Sequence, residues 1–216
     1  MEAQLINQLI SEAITGIRDF HKIEVVRKST SFSWGDFEQC KELFVQVFLA
    51  VDKTINKFTY LPEYDEIVRW MTNTEGRGLL LRGAKGRGKT TILMSVFPVL
   101  FKLKGYVFKP IQAIDIGVEK YNMVSKTVHF PNLDYLKKSP FPAIDELGIE
   151  PQVNDFGEKF EGFNQIIDKA EQRIKPLFIS TNLEPEQILK RYDSRTLDRL
   201  GRLCKTVVFK GDSLRQ

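Results

Sequence analysis

Two cysteines in 216 residues, Cys40 and Cys204, are too few and too far apart for a disulfide framework. No C-x-x-C pair and no histidine cluster offers a zinc site, so the usage fits reduced thiols in a cytoplasmic protein. Long apolar runs are scarce as well. The longest, over residues 43–51, is broken by Gln46 and falls far short of the ~20 residues that cross a bilayer. No membrane partner is expected. The N-terminus carries Glu2 and Glu12 with no basic stretch before an apolar one, which excludes a secretory signal. There is no internal repeat. Charged residues make up 28% of the chain, mixed in sign, and 42% of it is hydrophobic. Such a composition buries one good core. It predicts a compact domain over residues 60–216 with a short helical N-terminal extension over 1–59.

The net charge is a modest +4, unevenly spread. Residues 82–114 hold seven basic side chains and no acidic one; residues 183–216 hold eight basic and five acidic. A one-sided run points to a polyanion. A nucleoside triphosphate accounts for part of it, and nucleic acid is permitted by charge without being required.

Inside the first run stands Gly83-Ala84-Lys85-Gly86-Arg87-Gly88-Lys89-Thr90-Thr91. Gly83, Gly88, Lys89 and Thr90 have the spacing G-x-x-x-x-G-K-[ST], between an apolar run (Leu79, Leu80, Leu81) and a helix-compatible one. Glycines let backbone N–H groups curl around phosphate oxygens, and the following helix N-terminus adds partial positive charge. Lys89 reaches the β- and γ-phosphates of ATP, and the Thr90 hydroxyl completes a Mg²⁺ shell. Lys85 and Arg87 exceed what phosphates need, which turns them toward DNA or a neighbouring subunit.

Along the chain, Leu5, Ile6, Leu9, Ile10, Ala13, Ile14 and Ile17 form one apolar stripe on a helix over 4–17. It docks on its own domain or on a partner helix. A short β-rich piece follows at 23–26, and a soft boundary falls near Ser33. Asp36 caps a helix through Val51, and another helix spans 65–71. Beyond the Gly-rich loop the expected order is helix 89–104 ending at Gly105, strand 106–109, helix 115–124, strand 143–145, a helix through Phe160 and Ala170, strand 176–182, helices 185–191 and 196–203, and strand 206–209. Strands alternating with helices predict a mostly parallel, doubly wound α/β sheet. Pro140 and Pro142 sit awkwardly beside the third strand, which must be short or begin at Pro142.

Asp145 and Glu146 close that strand, and ligands gather at the carboxyl ends of parallel strands. Asp145 is placed to hold Mg²⁺ and Glu146 to orient and deprotonate the attacking water, the two tasks phosphoryl transfer requires. Ser180-Thr181-Asn182 ends another apolar run, from which a polar side chain reaches the water or the γ-phosphate. Arg195 and Arg199 lie four apart on one helical face. They either form ion pairs with Asp193 and Asp198 or act as an arginine finger for a neighbouring subunit's ATP.

The Gly-rich loop, Ile144-Asp145-Glu146-Leu147-Gly148, Ser180-Thr181-Asn182, Tyr192-x-x-Arg195-x-x-x-Arg199-Leu200 and the closing Gly211-Asp212-Ser213-Leu214-Arg215 occur in that order. Together they resemble the DnaC/IstB-type AAA+ ATPases, the bacterial and phage helicase loaders and transposition helpers, over residues 60–216. The resemblance implies a P-loop AAA+ core without a C-terminal lid domain, and ATP hydrolysis in DNA replication as a DnaC-like helicase loader. An IstB-like transposition helper, or a nucleotide-binding adapter with negligible turnover, is the alternative. It implies Asn182 as sensor 1, Arg199 as arginine finger with Arg195 as alternative, and Arg215 as a terminal phosphate or structural contact. It further implies a homo-oligomer when ATP is bound and a replicative helicase or transposase as partner. Single-stranded DNA would lie on residues 120–138, where Tyr121, Phe130 and Tyr135 stand among lysines.

Overall fold

The computed structural model describes residues 31–52, 58–122, 127–155 and 157–214. The stripe at 4–17, the β-rich piece at 23–26 and Arg215 lie outside them. Five strands form one sheet in the order β2 (Ile111–Gln112), β5 (Ala143–Leu147), β8 (Phe178–Thr181), β1 (Gly78–Gly83), β9 (Cys204–Phe209), and every neighbouring pair is parallel. The strands are apolar along their length, as strands covered on both faces must be. Their side chains alternate between two cores. Leu79, Leu81, Ala143, Phe178, Val207 and Phe209 face one cluster; Leu80, Ile144, Ile179 and Cys204 face the other. The doubly wound parallel sheet is therefore as expected.

The first face is covered by α1 (Phe37–Val51), α2 (Tyr64–Thr72) and α3, which starts at Lys89 and runs to Leu103. Asp36 caps α1 reciprocally: its carboxylate accepts from Gln39 N–H at 2.9 Å, and the Gln39 side chain accepts from Asp36 N–H at 3.0 Å. Helix α3 is wide over Ile92–Val96, where Phe97 N–H bonds five residues back to the Ile92 carbonyl. The cause is Pro98, which has no N–H to donate and crowds the preceding turn. The second face carries α4 (Pro131–Lys138), α5 (Gly162–Gln172), α6 (Pro185–Arg191) and α7 (Ser194–Leu203).

Several elements differ from expectation. Residues 106–109 are not a strand: Val107 is 72% exposed, and pairing begins only after Pro110, at Ile111. The expected helix 115–124 is one 3-10 turn, Ala113–Asp115, leading into the antiparallel pair β3 (Lys120–Asn122) and β4 (Thr127–His129). A second small hairpin, β6 (Val153–Asp155) with β7 (Glu158–Phe160), takes Phe160 out of the helix that Gly162 then begins. Pro142 precedes β5 and its carbonyl accepts from Phe178 N–H at 2.9 Å, so the ladder loses no interior donor. Both thiols are buried, and burial raises their pKa, which makes them unreactive.

Candidate nucleotide site

The P-loop joins β1 to α3 at the carboxyl edge of the sheet. Gly88 has φ 86°, and a Cβ there would stand 2.9 Å from the Tyr64 hydroxyl, so glycine is required twice over. Tyr64, on α2, donates that hydroxyl to the Arg87 carbonyl at 3.4 Å. Burial, then the charge of Glu63, pushes its pKa up to about 12, which keeps it a neutral donor. Lys89 is buried and donates to the Gly83 and Ala84 carbonyls at 2.8 and 2.6 Å. Its ammonium lies over the loop it would serve. Lys85 is exposed at the loop tip, with Gly86 beside it, while Thr91 is half-buried on the first helical turn.

Arg87 does not point outward as its charge suggested. It is 8% exposed, pairs with Glu63 at 2.7 Å and donates to the Asp212 carbonyl at 3.1 Å. It clips the loop to α2 on one side and to the segment after β9 on the other, where Leu214 N–H also reaches the Gly86 carbonyl at 3.0 Å.

Asp145 is 1% exposed on β5. It accepts hydrogen bonds from the Ser180 and Thr90 hydroxyls, the latter at the start of α3. Burial pushes its carboxyl above the usual range, while those two bonds pull the other way. Glu146 follows at a register irregularity between Ile144 and Leu147, exposed and with φ 58°. A non-glycine residue in that region costs roughly 1–2 kcal/mol, so something must hold it. Glu146 N–H donates to Ser180 Oγ at 2.9 Å, and the Leu147 carbonyl accepts from Thr181 Oγ1 at 2.6 Å. Ser180 thus orients both acidic residues. The sequence offered a polar strand end, and strand adjacency was needed to see which hydroxyl of it mattered.

Strand β8 lies between β1 and β5, so Asn182, half-buried just beyond it, leaves the sheet between the P-loop strand and the Asp145 strand. Thr90 and Asp145 present a hydroxyl and a carboxylate side by side. That hard-oxygen pair fits Mg²⁺, which takes one or two protein oxygens and completes its shell with phosphates and water. Among the described residues no cluster of three His, Cys, Asp or Glu suits a more protein-rich metal site.

The two arginines of α7 part company. Arg199 is engaged by Asp168 and by Glu171 of α5, the latter at 2.6 Å. The expected partners are occupied elsewhere: Asp193 caps α7 through Thr196 N–H at 2.6 Å, and Asp198 pairs with Arg202 at 2.9 Å. Arg195 is exposed. On the 120–138 segment, Tyr121 is exposed, Tyr135 lies 5.2 Å below the Lys109 ammonium, and Phe130 belongs to the core. Glu150, 3% exposed in the loop after β5, was not singled out by any spacing. It binds Gly148 N–H at 2.7 Å and the Tyr192 hydroxyl.

No family model and no curated protein matches the sequence. Among solved structures, the chain is similar to the crystal structure of DnaI, with a TM-score of 0.54 and 19% identity over 79% of this chain and 94% of that one. It also matches a candidate primosome component from Streptococcus pyogenes serotype M3 (TM-score 0.46, 18% identity, 85% and 86% of the two chains). AMPPCP-bound DnaA from Aquifex aeolicus is a third match (TM-score 0.41, 15% identity, 85% and 51%). At 19% identity the DnaI likeness is one of fold alone. No helix among the described residues is long and apolar enough to cross a membrane.

Proposed function

We propose that this chain is an ATP-hydrolysing AAA+ protein that acts in DNA replication as a helicase loader. The observation that carries the reading is the hydrogen-bonded group Thr90–Asp145–Ser180–Glu146, which joins the P-loop to the acidic strand end. Chance Gly-rich turns do not come with a buried acid bonded to the P-loop hydroxyl. Residues 60–216 carry the ATPase machinery, and 1–59 extend it, with α1 built into the same core.

In this reading the P-loop N–H groups and Lys89 bind the phosphates. Thr90 and Asp145 hold Mg²⁺, which supplies charge neutralisation on the phosphate oxygens when bound. Glu146 orients a water and takes its proton, and Asn182, between the two strands, contacts the water or the γ-phosphate. Arg195 or Arg199 serves a neighbouring subunit. Single-stranded DNA is placed on the β3–β4 hairpin, where Tyr121 is exposed next to Lys120.

The test is ATP turnover with and without single-stranded DNA. Glu146→Gln should abolish hydrolysis and leave binding of a slowly hydrolysed ATP analogue within about twofold; Lys89→Ala should lose the binding itself. Wild-type turnover that Glu146→Gln leaves unchanged, or none under any stimulus, would sink the enzyme reading and leave the adapter.

A further inference from the structure

Burying a carboxylate costs several kcal/mol unless it is well partnered, so the partners of Glu150 deserve an account. They come from two places far apart in the chain. Oε2 accepts from Gly148 N–H at 2.7 Å, and Oε1 accepts from the Tyr192 hydroxyl. Arg191 Nη2 donates to the Glu150 carbonyl at 2.6 Å, lies 3.5 Å from its carboxylate and 3.6 Å from Glu161. Gly148 is two residues beyond Glu146. Tyr192 immediately precedes Asp193, the cap of α7. One jaw of this clamp is therefore the Asp145–Glu146 bulge, and the other is the first turn of the helix that bears Arg195 and Arg199.

Neither jaw has slack. The Leu147 carbonyl is held by Thr181. Gly148 has φ 111°, and a Cβ there would stand 2.5 Å from Leu183 Cδ1. The Tyr192 ring packs edge-on against Phe163 at 5.2 Å, and burial, reinforced by Glu150, raises its pKa, so the hydroxyl stays a donor. A buried ionic cluster is a poor device for stability, since apolar side chains of similar volume do as well or better. What it fixes is relative position.

We propose that Glu150 and Tyr192 are positioning residues that carry the state of the Asp145–Glu146 bulge to α7, so that nucleotide at the P-loop sets where Arg195 and Arg199 stand. This rests on the ATPase reading above. A change at Glu146, the strained residue, displaces Leu147 and Gly148. The bonds Gly148–Glu150–Tyr192 pass that displacement to Asp193 and the α7 cap.

The experiment is amide hydrogen exchange on the full chain, with and without a slowly hydrolysed ATP analogue and Mg²⁺. In the wild type, protection should rise at residues 83–90 and also at 194–203. Tyr192→Phe keeps the ring on Phe163 and removes only the hydroxyl. There the 83–90 response should persist while the 194–203 response falls severalfold, with Glu150→Gln, which keeps one acceptor oxygen, intermediate. An undiminished 194–203 response in nucleotide-bound Tyr192→Phe, or in Glu150→Gln if the first variant does not fold, overturns the inference. A wild type with no response at 83–90 overturns the nucleotide reading instead, and this inference with it. Turnover supplies a second readout. Tyr192→Phe should lower kcat about tenfold with KM within about twofold, and cost nothing further once Arg195 and Arg199 are both alanine. Additive losses would mean that the hydroxyl only braces the fold.

Discussion

At the scale of single residues, the site shows acids held under opposing demands. Asp145 is buried against its own charge, with Ser180 and Thr90 offsetting part of that cost. Its carboxyl titrates higher in the folded chain than in the unfolded one. The penalty is therefore absent at acid pH, where both states are protonated, and sets in as pH rises through the unfolded and then the folded value. Asp145→Asn should accordingly raise the thermal midpoint at neutral pH while removing hydrolysis. Melting both proteins across pH checks this: the gap should close toward acid pH, and a variant less stable than wild type at pH 7 would contradict it. Ser180→Ala removes the acceptor that holds Glu146 N–H and a donor to Asp145 at once. Turnover should fall by about 10²-fold with ATP-analogue affinity nearly unchanged, the pattern of a group that matters in the transition state alone.

At the scale of elements, the P-loop is less free than a Gly-rich string suggests. Arg87 and Glu63 pair with side chains only 10% and 9% exposed. Breaking such a pair on one side leaves an uncompensated charge and costs roughly 3–5 kcal/mol. Glu63→Ala should therefore destabilise the chain strongly and loosen the loop, while Glu63→Ala with Arg87→Met should recover most of the loss in a denaturant titration. No reading of the sequence anticipated this clip, because Glu63 lies 24 residues upstream and only the fold brings it under the loop. What was legible follows the same logic in reverse. The P-loop, the Asp145–Glu146 strand end and the Asp36-capped helix are local patterns, set by residues a few positions apart. The Glu150 clamp depends on Tyr192, 42 residues away. The second hairpin pairs residues only three to seven apart, but Phe160 also continues the apolar spacing of the helix that follows it. The strand expected at 106–109 had the right composition, yet Pro110 and the position at the sheet edge overrode it.

For the whole molecule, the arrangement of α7 bears on assembly. Arg199 is bound to α5 of its own chain, and Arg195 is exposed. Arg195→Ala should leave the thermal midpoint unchanged and lower turnover by at least ~10³-fold if it is the finger. Arg199→Ala should lower the midpoint, since it strips Asp168 and Glu171 of a partner. Mixing Arg195→Ala protein with Lys89→Ala protein should restore part of the activity at mixed interfaces. If only the Arg199→Ala mixture complements, Arg199 leaves α5 during assembly and is the finger after all.

The wide turn of α3 has a consequence of another kind. A bond spanning five residues, in place of four, accommodates one residue more than an α-helix of the same reach. That surplus sits between the phosphate-binding end and Pro98, so the two ends of the helix are phased around it. In an alignment of relatives, those without a proline at this point should show a single-residue gap between Thr91 and Pro98. The helix would then record an old insertion that neither the P-loop nor the core had to accommodate.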